Sequence, residues 1–255
     1  MLYFCFTIMT IHNPFPIIEH KVYSRTFMRE ASASIEFPEV SLPANVEKLA
    51  PYFKENFNVD INPEGSTNFD TIKISTEKTQ QQRFSFDKSN AKVTFEAGNY
   101  HSFAATMQPN IGKLVSFIST LGIEQASKIT LRKKNVWDIS SEDSMSAFKA
   151  AIPYIFKEKD IQDVAKYNIP ETPRPLRISN EANINLGEGL LIIQFFVEIS
   201  NDKNIRLVLD LEASAPNVKS VDILETSSAL NDVIYGAFHE LVTQDILNLM
   251  EGQNE

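Results

Sequence analysis

Apolar residues recur along this chain with two periods, every second residue in some segments and every third or fourth in others, which predicts strands and amphipathic helices. Strands are predicted around Ile72–Ile74, Phe84–Phe86 and Val93–Phe95, and the turn Asp87–Asn90 joins the last two into a hairpin. A helix is predicted after Ser102, because apolar residues follow it at spacings of three and four: Phe103, Met107, Ile111, Leu114, Ile118 and Leu121. A hairpin followed by a helix is therefore the basic unit of this sequence.

The same unit recurs near the C-terminus. Leu190–Ile199 and Ile205–Ala213 predict two strands, and the short polar turn Ser200–Asn204 joins them. The helix predicted after them carries a single continuous apolar stripe: Leu230, Val233, Ile234, Ala237, Phe238, Leu241, Ile246 and Leu249. In the last strand apolar and polar residues alternate, which predicts a sheet with one buried face.

This repetition predicts an α+β fold in which antiparallel sheets are covered by helices. Two pseudo-symmetric halves are expected at 13–122 and 123–252, after an N-terminal extension at 1–12; separate halves and one fused domain both stay open. Other elements are predicted elsewhere: an extended start at Asn13–Pro16, one or two strands in Glu19–Ile35, helices at Ala44–Phe57 and Glu142–Phe156, and a strand at Lys128–Ile139. A connector rich in proline is predicted to be a boundary or an active-site loop: Pro170, Pro173 and Pro175.

Composition narrows the class of protein. The chain has 255 residues, of which 43% are hydrophobic and 22% charged, so it is long and apolar enough to bury a core. Its net charge of −9 argues against binding to nucleic acid, because such affinity is built from Lys and Arg contacts with phosphates. Cys5 is the only cysteine, so a disulfide framework and a cysteine metal cluster are excluded and a reducing cytoplasm fits best.

The first eleven residues form an apolar run. No basic region precedes this run, no cleavage motif follows it, and it is too short to span a bilayer. We therefore predict no membrane association. The run is either a buried strand or a stretch that precedes the true translation start at Met9.

The predicted helix start brings three polar residues together. Tyr100, His101 and Ser102 are adjacent, and a histidine beside a hydroxyl group is an arrangement that hydrolases use. Neighbouring side chains on a chain usually diverge, however, and no acid that could orient the histidine is identifiable. We therefore expect Ser102 to be the N-cap of the helix.

Two further groups of residues are candidate sites. Asp210 and Glu212 lie two apart on a predicted strand and share a face, as a metal site or acid–base pair requires, although solvated carboxylates explain them better. Arg132, Asn135 and Trp137 belong to the basic-aromatic segment 132–137, in which Arg132 and Lys134 share one face and the odd-numbered residues the other. RNA binding there would need exposed aromatic side chains.

Known catalytic motifs are absent from the sequence. There is no P-loop, no dinucleotide-binding glycine motif and no nucleophile elbow. His239 and Glu240 lack the second histidine of a zinc-binding helix, so a surface or capping role is expected for His239. We predict no metal and no cofactor, and we expect the protein not to be an enzyme.

Short segments spread over nearly the whole chain carry a family resemblance: Asn13–Glu19, Phe84–Asp87, Val93–Phe95, Tyr100–Phe103, Leu131–Asn135, Leu209–Asp210 and the helix with Phe238 and Thr243. They resemble a sporadically distributed family of uncharacterised bacterial proteins of about this length. The pair Lys133-Lys134 departs from the Tyr-Val usual in that family. The resemblance implies no reaction, but it implies a mobile-element or defence neighbourhood, and hence a role in binding a partner.

The leading hypothesis is therefore a cytoplasmic protein that binds a protein partner; a homodimer stays open. If there is a polar site, we expect it to be built from Tyr100, His101, Arg132, Asn135 and Asp210. Two alternatives remain: a hydrolase or metal-dependent enzyme that uses His101 and Asp210, and an RNA-binding protein that uses Arg132 to Trp137.

Overall fold

A computed structural model of the chain describes residues 11–23, 26–60, 71–75, 82–96, 100–139, 144–157, 176–199 and 205–252. Three features of the sequence lie outside these residues: the apolar segment 1–10 with Cys5, the turn 200–204 and the prolines 170, 173 and 175.

The described residues form eight strands and five α-helices. The strands are β1 Met28–Glu36, β2 Thr71–Ser75, β3 Gln82–Asp87, β4 Asn90–Glu96, β5 Gln125–Ile139, β6 Leu176–Asn185, β7 Leu190–Ile199 and β8 Ile205–Lys219. The helices are α1 Val46–Phe57, α2 Gln108–Thr120, α3 Ser144–Ile155, α4 Ile223–Leu241 and α5 Gln244–Glu251.

All eight strands belong to one antiparallel sheet, with the order β2-β3-β4-β1-β5-β8-β7-β6. This architecture confirms the predicted α+β class. Counted outward from the centre, the first four strands of the chain have the order β1-β4-β3-β2, and the last four have the equivalent order β5-β8-β7-β6. Each set of four also has a helix after its first strand and another after its last. The sheet continues without a break through the β1–β5 pair, so the two halves share it.

The core lies between the sheet and the helices, which pack on one face of the sheet. In the N-terminal half, Phe86 of β3 contacts Tyr52 and Phe53 of α1 and Phe117 of α2. In the C-terminal half, Phe156 just after α3 contacts Trp137 of β5 and Phe195 of β7. Because strand side chains alternate between faces, every second residue of β8 from Ile205 to Ala215 is buried toward the helices, as are Ile129, Leu131, Asn135 and Trp137 of β5.

The structure shows the hydrogen bonds expected for the β3–β4 turn and for the helix cap at Ser102. In the β3–β4 turn, the backbone N–H of Ser89 donates to Asp87 Oδ1 over 2.9 Å, which is the local bond that favours this turn. At the helix start, Ser102 Oγ accepts from the N–H of Ala105 over 3.0 Å, so Ser102 is an N-cap as predicted. A π-helical turn, Phe103–Met107, follows this cap and leads directly into α2.

The last predicted helix was wrong in extent. The apolar stripe of the last helix was expected to be continuous to Leu249, but α4 ends at Leu241, Val242 is extended, and Thr243 caps the separate helix α5. The segment Glu19–Ile35 was expected to hold one or two strands, and its described residues hold one, which begins at Met28.

Residues 11–23, here called the arm, have no helix or strand of their own. The arm starts at Ile11, which bridges to Gly187, and then crosses α4. The ring of Phe15 lies against Gly236, where a Cβ atom would be 2.7 Å from Phe15 Cβ. The arm therefore covers α4 at the one point where this helix has no side chain.

Candidate functional site

The face of the sheet opposite the helices, here called the open face, carries polar side chains in cross-strand rows. One row runs through Glu96, Glu30, Lys134, Asp210 and Gln194, which are register partners on β4, β1, β5, β8 and β7. No described helix packs on this face. On this face the side chains of Arg29, Asp138 and Arg206 are about half-exposed, whereas Asp210, Val208 and Phe196 are buried.

An ion pair lies at the centre of this face. Arg132 of β5 donates from Nε to Asp210 Oδ1 over 2.8 Å, and its Nη2 donates to the second carboxylate oxygen. The Asp210 side chain is only 3% exposed, whereas that of Arg132 is 37% exposed. The hydrogen bonds to Asp210 raise the pKa of Arg132 above its ordinary value. A charge this deeply buried is stable only with such a partner.

A pocket of about 400 Å³ lies beside this ion pair, and its wall is formed by seven residues: Arg29, Glu30, Glu96, Lys134, Val136, Asp138 and Arg206. A β-bulge shapes it. In β1 the register shifts between Met28 and Glu30, so Arg29 is an extra residue without a strand partner. Met28 stays in the core, while Arg29 and Glu30 both reach the pocket.

The pocket has a basic end that is built around Asp138. Arg29 Nη2 donates to Asp138 Oδ2 over 3.0 Å, and Arg206 Nε donates to Asp138 Oδ1 over 2.9 Å. The pKa of Asp138 is lowered, chiefly by the hydrogen bond from Arg206 and also by the hydrogen bond from Arg29. Two arginines thus share one carboxylate, and each keeps further N–H donors that Asp138 does not use.

The opposite end of the pocket is acidic. Glu30 and Glu96 are direct cross-strand partners, an arrangement that is unfavourable for like charges. Arg83 forms an ion pair with Glu96 over 2.7 Å. Lys134, the register partner of Glu30, has its Nζ 5.7 Å from the ring centre of Phe196. The pocket therefore presents both signs of charge at separate positions.

Val136 is the single apolar residue in the wall of the pocket. Val136, Val208 and Phe196 form a small buried cluster that is separate from the main core. They are register neighbours on β5, β8 and β7. The pocket therefore combines six charged residues with one apolar contact, and that contact belongs to a buried cluster.

A second polar cluster lies on the helix side of the sheet. Lys133 Nζ donates to Asn231 Oδ1 of α4 over 2.7 Å and lies 5.5 Å from the ring centre of Tyr100. Burial lowers the pKa of Lys133 to about 8. Asn231 Nδ2 is 3.3 Å from His20 Nδ1 in the arm, and His20 Nε2 is 2.9 Å from Asp232 Oδ1. This chain of contacts links the sheet, α4 and the arm.

Aromatic residues continue this cluster along α4. His20 stacks on Tyr235 with ring centres 4.2 Å apart, and the Tyr235 hydroxyl accepts from the N–H of Lys21 over 3.0 Å. Tyr23 Oη is 2.8 Å from His239 Nε2. Burial, followed by the charges of Lys157 and Lys21, lowers the pKa of His239 to about 4. His239 is half-buried under the arm, in the last turn of α4.

The structure divides the five residues of the predicted polar site between the two sides of the sheet. Arg132 and Asp210 are paired on the open face. Asn135 is buried on the helix side, and Tyr100 contacts Phe95 and Lys133 there. His101 is exposed, and its backbone N–H donates to Thr106 Oγ1 over 3.1 Å.

Two interpretations of the strand residues change with these positions. Asp210 was explained best as a solvated carboxylate, but it is buried and paired with Arg132. Trp137 is 5% exposed and contacts Phe27 and Phe156, so its ring is unavailable to stack on a base. Among the described residues, no group of three or more His, Cys, Asp or Glu side chains is placed to hold a metal ion.

Sequence reasoning missed the pocket residues Arg29, Glu30, Asp138 and Arg206. They come from three separate strands, β1, β5 and β8, and only strand register and the bulge in β1 bring them together. The one available sign was the alternation of charged and apolar residues along β5 and β8.

Comparisons of the chain with protein-family models, with curated proteins and with solved structures gave no match. Across the described residues, no helix combines the length and apolar character needed to cross a membrane.

Proposed function

We propose that this protein is a binding module for a protein partner and that the partner lies on the open face, over the pocket beside the Arg132–Asp210 pair. The observation that carries this proposal is the pocket, whose wall combines two arginines around Asp138 with the glutamates Glu30 and Glu96. Nothing in this arrangement requires a chemical step.

The charge pattern favours a polypeptide partner. A protein surface offers acidic, basic and apolar groups within a few ångströms, and arginine is enriched at protein interfaces. Nucleic acid offers one repeated negative charge, and the net charge of −9 opposes it. The side chains of Arg29 and Arg206 are 57% and 54% exposed, so a partner can reach both.

The enzyme alternative has less support. It relied on His101 together with Asp210, yet Asp210 is occupied by Arg132 on the open face and His101 is exposed at the start of the π-helical turn. A general base has to lie within hydrogen-bond reach of the group it serves. No contact of the described residues joins these two side chains.

The cellular setting of the proposal comes from the sequence. A single cysteine fits a reducing cytoplasm. A defence or mobile-element context follows only from the family resemblance.

Affinity capture with matched variants tests the proposal. The tagged full-length protein, the double variant Arg29→Ala/Arg206→Ala and the control Lys48→Glu are each incubated with lysate of the native host, and bound proteins are quantified by mass spectrometry. Lys48 is an exposed cation on α1, which packs on the helix side. Both arginines form exposed ion pairs, so their removal costs the fold little.

We expect one protein to be captured by the unaltered chain and by Lys48→Glu, and to be at least tenfold depleted with the double variant. Titration calorimetry with that purified partner should then show a Kd that is weaker by about 30-fold or more, as for loss of an interface arginine. Equal capture by all three proteins would show that the partner does not bind at the open face. Capture of nothing above background, with turnover in a substrate screen, would replace partner binding by catalysis.

A further inference from the structure

The arm contacts α4 through His20 and through the N–H of Lys21, and Lys21 also forms an ion pair with Glu251 of α5. His20 lies between three groups: Asp232 at its Nε2, Asn231 at its Nδ1 and the ring of Tyr235 on its face. Its side chain is 38% exposed, so protons reach it from solvent. Asn231, in contrast, is only 1% exposed.

Lys133 fixes the orientation of the Asn231 amide. A lysine ammonium has three N–H donors and no acceptor, so the atom of Asn231 that faces it has to be the carbonyl oxygen. The amide nitrogen then faces His20, and it can only donate. His20 Nδ1 must therefore be an acceptor, which requires a neutral imidazole with its proton on Nε2, pointed at Asp232.

Protonation of His20 would place an N–H donor against the donor nitrogen of Asn231. The amide cannot turn to relieve this conflict without placing its nitrogen against the Lys133 ammonium. The contact between the arm and α4 would lose a hydrogen bond and gain a repulsion between two donors in a partly buried site.

We propose that the arm is a strap released by acid: it is docked on α4 while His20 is neutral, and it leaves α4 when His20 is protonated. Its release uncovers Asn231 and the Lys133 ammonium beneath. This inference is independent of the open face and of the function proposed for it.

The charges that face His20 act in both directions. Burial is the largest effect and lowers its pKa below 6.5, Asp232 of α4 raises it, and Lys133 of β5 lowers it. Asp232 is 53% exposed, so water and salt weaken its attraction for a charged imidazole. The net lowered pKa agrees with the neutral form that the hydrogen bonds require.

Energy transfer from the single tryptophan measures the position of the arm. Val22 is 73% exposed, so a Val22→Cys change in a Cys5→Ser background accepts a thiol-reactive naphthalene dye as the acceptor for Trp137. His239→Gln is included in every protein, which leaves His20 as the only histidine in the contact with Asn231 and Tyr235. Transfer is recorded from pH 7.5 to 5.0, with far-UV circular dichroism as the check that the fold persists.

We expect transfer to fall below about pH 6.5, with the docking constant of the arm decreasing by up to tenfold per pH unit. In His20→Asn, the side-chain oxygen takes the place of Nδ1 and cannot titrate in this range, so transfer should stay constant. In Lys133→Met the amide of Asn231 is free to turn toward a protonated His20, so acid should again have no effect.

Two results would overturn the proposal: transfer that stays constant with pH when His20 is present, or an acid response in His20→Asn equal to that of its parent. An unchanged acid response in Lys133→Met would overturn the role of Lys133 as the residue that fixes the amide.

Discussion

Arg132 and Asp210 lie 78 positions apart in the chain, yet a two-point ion pair joins them on adjacent strands of the open face. The pair is asymmetric in burial. Asp210 is almost fully enclosed, whereas the guanidinium of Arg132 keeps contact with water. The free energies of the two single substitutions should therefore differ.

Arg132→Met should lower the free energy of unfolding by about 3 kcal/mol, because it leaves a buried carboxylate without its partner. Asp210→Asn should cost less, about 1 kcal/mol, because the neutral amide leaves no buried charge: its oxygen accepts one Arg132 donor, and the half-exposed guanidinium can turn its second donor to solvent. Urea denaturation followed by circular dichroism measures both values. Equal losses would show that the burial of Asp210 does not decide the energetics of this pair.

Gly236→Ala should displace the arm while α4 stays folded. A Cβ atom would be 2.7 Å from Phe15 Cβ, which is too close for both to keep their places. Alanine is the better helix former by about 1 kcal/mol, so α4 itself should not weaken. Hydrogen exchange should rise at least tenfold in residues 11–23 and stay unchanged in α4; protection of the arm at its original level would contradict the close contact.

His239 gives the stability of the protein a defined pH dependence. Its pKa is about 4 in the folded chain and near 6.5 when exposed. The unfolded state therefore binds a proton first as pH falls, so the stabilisation is complete above pH 6.5 and declines between 6.5 and 4. Between pH 7 and pH 4, the free energy of unfolding should fall by about 2 kcal/mol less in His239→Gln than in the unaltered protein, as measured by denaturation at the two pH values. An equal fall in both proteins would contradict the lowered pKa.

Ser102 distinguishes a structural role from a catalytic one at the Tyr-His-Ser junction. Ser102→Ala removes the acceptor for the N–H of Ala105 and should cost about 1 kcal/mol. Ser102→Asp supplies a carboxylate that can cap the helix in place of the hydroxyl, and it should recover most of that loss. Thermal denaturation measures both variants, and a cost that aspartate does not recover would count against the capping role.

The elements that local patterns define were predictable from the sequence. Alternation in β8 and the bond between Asp87 and Ser89 are properties of a few adjacent residues, and the structure shows both. The end of α4 at Leu241 was not predictable in the same way, because the apolar stripe continues to Leu249 and no glycine or proline interrupts it.

The sites depend on distances in sequence that local patterns do not carry. The face shared by Arg132 and Lys134 follows from period two, but the burial of Asp210 follows from the register of β5 with β8. The contact between Lys133 and Asn231 likewise needs α4 to pack across β5. Polar residues that are distant in sequence and are brought together only by strand order and helix packing cannot be told from ordinary surface charges in the sequence.

The pocket on the open face crosses the junction of the two halves. Arg29, Glu30 and Glu96 come from the first four strands, and Lys134, Val136, Asp138 and Arg206 come from the last four. Neither half contains the whole pocket, although each has the same strand order. Two chain fragments cut between β4 and β5 would form this pocket only when they reassociate. Binding of the partner would therefore detect the reassociation of the two fragments.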